Sequence, residues 1–179
     1  MIAIRPEKPA DIAARETLLD VAYGASRFAK PSQRLREGRE PVLSFVAFEQ
    51  GRLIGTVRLW AVWAGAGRPA LLLGPLAVDP ECRQRGIGSA LMRRAIRAAR
   101  VAGHRALVLV GDAAYYGRFG FTAAGTGALS MPGQHERHRL LALELAPAAL
   151  AGARGRILAG DVRRPAPRAA AGVGVSQAA

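Results

Sequence analysis

The chain has 179 residues and a hydrophobic fraction of 50%, enough for one domain with its own core. Its formal charge of +13 is carried almost wholly by scattered arginines, with lysine only at Lys8 and Lys30; no basic–aromatic interleaving accompanies it, so it reads as composition bias rather than a nucleic-acid surface. The single cysteine, Cys82, excludes an intrachain disulfide and a cysteine metal cluster, no apolar run approaches a membrane span, and Arg5-Pro6 cuts short any leader, so the expectation is a cytoplasmic protein without a membrane partner.

In chain order, Met1–Arg5 predicts a short strand, and Pro9-Ala10-Asp11 opens a helix through about Tyr23 with Ile12, Leu18, Leu19 and Ala22 on its apolar face. Gly24 ends it. Phe28 to Gly38 is a weaker helical or loop segment. Val42–Glu49 and Leu53–Trp63 read as a hairpin turning at Gln50-Gly51. Period two puts Leu53, Val57, Leu59 and Trp63 on one face and Ile54, Thr56, Arg58 and Trp60 on the other, which leaves open which tryptophan is in the core. Ala70–Val78 is apolar throughout, as a strand covered on both faces would be. Gly74-Pro75 interrupts it, and a proline there implies a bulge or a splayed strand. Ile87 to about Ala102 is helical, with Ile87, Leu91, Ala95, Ala98 and Ala102 in one stripe. Arg105–Val110 is a strand, Ala113–Phe119 a helical turn, Phe121-Thr122 the start of another strand and Arg139–Leu145 the last clear one. Gly125 to Gln134 reads as loop, and Ala148–Leu158 as a short helix or strand. Residues 1–158 form the domain, and 159–179, rich in Pro, Ala and Gly, read as a disordered tail. The class is mixed α/β (α+β), with helices packed on a mostly antiparallel sheet.

The strongest chemical signal is the strand–loop–helix at Leu71–Ala102. Arg83-Gln84-Arg85-Gly86-Ile87-Gly88 stands at the helix start, where two glycines admit close approach of a ligand and free N–H groups with the helix dipole favour an anion. A pyrophosphate suits it. The run is not a Walker A loop, and Gly86-x-Gly88-x-x-Leu91 lacks the third small residue of a dinucleotide fingerprint.

This segment resembles the GNAT (GCN5-related N-acetyltransferase) family: Arg83 to Gly88 matches its Q/R-x-x-G-x-G/A loop, and Tyr115-Tyr116-Gly117-Arg118-Phe119-Gly120-Phe121 is similar to its second signature. Gly74-Pro75-Leu76-Ala77-Val78 and the tyrosine segment are most similar to the YhbS-like branch of predicted acetyltransferases. The resemblance implies a sheet with a splayed strand pair and helices on both faces. It also implies acetyl-CoA as co-substrate, no metal, and direct attack of an unidentified amine on the thioester; a homodimer is compatible with it. It places the pyrophosphate on Arg83, Gln84, Arg85, Gly86, Ile87, Gly88 and Ser89, the pantetheine arm along the backbone of Leu76, Ala77 and Val78, and the proton donor to the leaving thiolate at Tyr116, in preference to Tyr115.

The base is left open. Leu72 falls near the position where some relatives carry a glutamate, so Glu49, a histidine, an ordered water or an amine that arrives neutral remain. His104 reads as an edge residue; His135 and His138 are a substrate-facing pair or surface residues, with no third ligand for a metal. Cys82 reads as an incidental thiol. The competing functions are a CoA-binding sensor without turnover and, less favoured, a nucleic-acid-binding protein.

Overall fold

The computed structural model describes residues 1–133 and 136–160. The strands are β1 (Ile2–Pro6), β2 (Leu43–Glu49), β3 (Arg52–Ala64), β4 (Pro69–Val78), β5 (Ala106–Val110), β6 (Leu129–Ser130), β7 (Leu140–Glu144) and β8 (Gly155–Ala159). The helices are α1 (Ile12–Tyr23), α2 (Ile87–Val101) and the short α3 (Ala113–Gly117). The main sheet runs β1-β2-β3-β4-β5-β7, antiparallel except for β4 beside β5.

Helix α2 covers one face. Its buried side chains Ile87, Leu91, Met92, Ala95 and Ala99 pack with Val57, Leu59, Leu71, Leu73, Leu107 and Leu109. The predicted stripe departs at its end: burial passes through Ala99, and Ala102, the C-cap, lies exposed beyond the last turn. Helix α1 packs on the opposite face, with Leu18 and Leu19 against Val46, Leu53 and Ala77. Ile12 is exposed, whereas Arg15 is buried and paired with Glu7.

One irregularity corrects the simple alternation in β3. A bulge between Ala47 and Phe48 shifts the β2–β3 register, so Leu53 faces α1 while Val57 and Leu59 face α2. Trp60 is buried and Trp63 is 39% exposed, which settles which tryptophan is in the core. The segment 125–134 contributes the short strand β6, and β8 pairs with both β3 and β6, closing a second core around Trp60, Val62, Leu72, Val108 and Ile157. Phe121-Thr122 extends only to a bridge from Thr122 to Ala142. The weak segment after α1 is two 3-10 turns, Ala25–Ala29 and Pro31–Leu35. Strand β8 reaches Ala159, and the expected tail from Asp161 onward lies outside the described residues, as does His135. No helix among the described residues is long and apolar enough to cross a membrane.

Candidate active site

Strand β4 is the backbone of the site because it is paired imperfectly on both sides. Toward β3 the ladder runs Leu59↔Leu73, then jumps to Val57↔Leu76, leaving Gly74 and Pro75 unmatched. Toward β5 only Leu71↔Leu107 and Leu72↔Val108 pair, and the two strands part beyond them. A proline in this stretch costs no ladder bond, since the ladder is already open there. The unmatched carbonyl of Gly74 is held by Trp60, whose indole Nε1–H donates to it at 2.7 Å. The hydroxyl of Tyr23, at the end of α1, donates to the carbonyl of Leu76. Asp79 N–H donates to Ile54 O on β3 at 2.9 Å, so by the alternation of an antiparallel ladder Ala77 also turns to β3, and Leu76 and Val78 turn to the gap.

Beyond the gap, the loop enters α2 through Gly86, which sits at φ 76°, the left-handed region that glycine tolerates best. Gly86 offers no side chain to cap the helix, so the first N–H groups of α2 are left open toward a ligand. A cavity of about 320 Å³ lies over them, lined by Val78, Arg83, Gln84, Gly86, Gly88 and Ser89, with Tyr115 and Arg118 opposite. Gly88 lies close under its neighbour: a Cβ there would come within 2.8 Å of the Tyr115 hydroxyl, so a side chain would displace the end of that tyrosine. Arg83 lines this cavity, but Arg85 does not; its guanidinium makes two bonds of 2.8 and 2.7 Å to the carboxylate of Glu49. Cys82 is buried, with Sγ 3.6 Å from Arg85 Nη1.

A second cavity, of about 110 Å³, opens at the other end of the splayed segment. Leu72 to Leu76 form one wall, Tyr116 another, and Tyr23, Lys30 and Arg36 lie across from them. The paired tyrosines of α3 therefore divide their work: Tyr115 faces the loop cavity and Tyr116 faces this one, with the rings edge to face at 4.9 Å. Asp112 caps α3 by accepting from Ala114 N–H at 2.9 Å, and the Tyr116 ring is wedged against Gly111, where a Cβ would approach it to 2.2 Å. Burial, with the nearby Tyr23 and Tyr115, raises the Tyr116 phenol above its ordinary value, so it stays protonated.

The candidate bases fall elsewhere. Glu49 lies opposite Arg52 at the start of β3, about 20 Å of strand at ~3.3 Å per residue from the irregularity at Gly74-Pro75, and its bonds to Arg85 lower its pKa. His138 is exposed and lies 3.3 Å from Glu136; His104 follows α2, its pKa lowered by burial, and lines neither cavity. Leu72 is fully buried. Among the described residues no group of His, Cys, Asp or Glu could hold a metal ion. Tyr23 and Arg36 were missed by sequence reasoning, and Trp60 was left undecided against Trp63; no motif marks them, and only the fold brings them to the Gly74-Pro75 irregularity.

The model of the Acetyltransferase (GNAT) family matches residues 12–121, from α1 through the tyrosine segment. The chain belongs to the GNAT family. YhbS of Escherichia coli K12, an uncharacterized N-acetyltransferase, is 32% identical over 130 residues, covering 68% of this chain and 74% of its own. Among GNAT structures, that of E. coli YhbS in complex with CoA superposes with a TM-score of 0.77 at 30% identity, over 89% of each chain. A GNAT acetyltransferase from Brucella melitensis in complex with acetyl-CoA gives 0.65 at 31% identity, over 82% of this chain and 90% of its own.

Proposed function

We propose that the chain transfers an acetyl group from acetyl-CoA to a primary amine by direct attack of the neutral amine on the thioester. The carrying observation is that one gap, between β4 and β5, lies between the two cavities, with Tyr115 on one and Tyr116 on the other. The loop cavity has the features a pyrophosphate needs: an uncapped 15-residue helix, Gly86 in the left-handed region, no Cβ at Gly88, and Arg83. Arg85 supports the loop through Glu49 instead of meeting the ligand. The N–H of Leu76 and the backbone groups of Val78, which turn to the gap, suit an amide-bearing arm; the Leu76 carbonyl is already held by Tyr23, and Ala77 contributes packing against α1.

Bound acetyl-CoA supplies the acyl group as a thioester. Tyr116 holds a proton at the hydroxyl that faces the second cavity and hydrogen-bonds the departing sulfur. The burial that lifts the phenol keeps the proton on its oxygen, where it can stabilise the developing thiolate as a hydrogen-bond donor. Neither a carboxylate nor an imidazole lines this cavity among the described residues, which favours an amine that arrives neutral. Calorimetric titration of acetyl-CoA into the protein, beside an Arg83→Ala, Gly86→Asp variant, tests the reading. Micromolar binding that the variant loses is expected, and no binding to the intact protein removes the proposal.

A further inference from the structure

The charged side chains that line the second cavity, Arg27, Lys30 and Arg36, are all cations. Arg27 is neutralised by Glu16 at 2.7 Å and Asp20 at 2.9 Å. Arg36 is not. It is only 8% exposed, yet Nε donates to Ser32 O at 3.1 Å and Nη2 to Ser32 Oγ at 3.0 Å, both neutral oxygens, and no ion pair involves it among the described residues. Lys30 Nζ lies 4.0 Å from the centre of the Tyr23 ring and likewise has no ion pair among the described residues. Burial, together with neighbouring cations, pulls Arg36 down to about 10 and lowers Lys30 as well. A buried guanidinium without a counter-charge is costly, and two bonds leave the rest of its five-donor fork open. The opposite wall holds Gly74, Pro75 and Tyr116, where the acyl group must sit if the acetyltransferase reading holds.

We infer that the acceptor is a small amine carrying its own anionic group, a carboxylate or a phosphate, which docks on Arg36 and Lys30 while the amine reaches the bulge beside Tyr116. This rests on the acetyltransferase reading and specifies its substrate class. The guanidinium fork takes either anion in two parallel bonds. The volume of about 110 Å³ accommodates a group of several heavy atoms, since one water needs roughly 10–15 Å³ on the same scale. The cations repel a second ammonium group, which disfavours a diamine, and the anion of the acceptor offsets the field that would otherwise repel it.

The test is calorimetry on the CoA-loaded protein with four probes: β-alanine, 2-aminoethyl phosphate, n-propylamine and 1,3-diaminopropane. At least one anionic amine should bind ~10-fold or more tightly than n-propylamine, as a charge-assisted bond predicts, with the diamine weakest. The order of the two anionic probes separates carboxylate from phosphate. Arg36→Gln should bring the anionic probes to within about threefold of n-propylamine without altering CoA affinity. Lys30→Met, at an exposed position, should give a partial loss in a protein whose thermal midpoint is unchanged. The inference falls if n-propylamine or the diamine binds as tightly as the anionic probes, if neither anionic probe binds, or if both variants keep the preference. Loss of CoA binding by the intact protein would instead remove the acetyltransferase reading beneath it.

Discussion

Replacing Tyr116 by Phe removes one oxygen and leaves the ring wedged against Gly111, 6.1 Å from Phe121. The variant should therefore fold with stability close to that of the parent. The lost hydroxyl is the one proposed to donate to the departing sulfur, kept protonated by its burial. A positioned proton donor contributes about 10²–10⁴ in rate, so kcat should fall by ~100-fold or more, or ~2.7 kcal/mol at 1.36 kcal/mol per decade. The KM for acetyl-CoA should stay within about twofold, because the loop cavity proposed to hold the pyrophosphate is lined by Tyr115 and not Tyr116. Tyr115→Phe is the control: its hydroxyl stands over Gly88, so its loss should act on KM and leave kcat nearly unchanged. The assay is release of free CoA thiol at saturating amine, with both substrates varied. If Tyr116→Phe keeps kcat within twofold, or if Tyr115→Phe carries the kcat loss, the division of the two tyrosines is refuted.

Arg83→Ala should weaken CoA binding more than Arg85→Ala, since Arg85 is tied to Glu49; calorimetry that finds the reverse order would put Arg85 on the ligand. Gly86→Ala should cost about 1–2 kcal/mol in denaturant unfolding from its left-handed backbone alone, because a Cβ there meets nothing within 4 Å; Gly86→Asn should cost less. The pH profile of kcat/KM should climb by about a decade per unit up to the pKa of the free amine, ~10.4 for a lysine-like amine, and a plateau beginning near neutrality would reveal a protein base. Asp11, held at about 2 by its bonds to Arg5, should stabilise the fold fully above about pH 4 and lose that contribution as pH falls through 2; Asp11→Asn should flatten this acid limb in denaturant titrations.

The elements that could be read in advance were those where one periodicity or one glycine decides the outcome: α2 from its stripe, the hairpin from Gln50-Gly51, and the loop from Gly86 and Gly88. The face assignment in β3 failed at Leu53 because one extra residue at a bulge inverts every side chain beyond it, and hydrophobic pattern does not mark the bulge when both faces are buried. Strands β6 and β8 were hard to read because each owes its pairing to residues distant in sequence: Leu129 to Gly155, and Leu158 to Trp63. Arg85 looked equivalent to Arg83 by spacing, and only the approach of Glu49 from β2 separates them. Arg36 lay in a segment without periodicity, where sequence gives charge but not burial.

The site is assembled from departures from regular structure. Gly74 and Pro75 drop out of the ladder, and that leaves a carbonyl which a buried strand must satisfy. Trp60 satisfies it from within the sheet, and Tyr23 satisfies the carbonyl of Leu76 from α1. Both donors come from elements that also wall or support the second cavity, so the bulge is held open by groups packed in place before any ligand enters. That rigidity matters for chemistry, because a gap that must be opened by the ligand would draw on binding energy otherwise available for orientation. Trp60→Phe should therefore act through geometry: the Gly74 carbonyl loses its donor, β4 is free to close on its neighbours, and kcat and acetyl-CoA affinity should fall together, whereas Trp63, exposed near the far end of the same strand, should tolerate the same change.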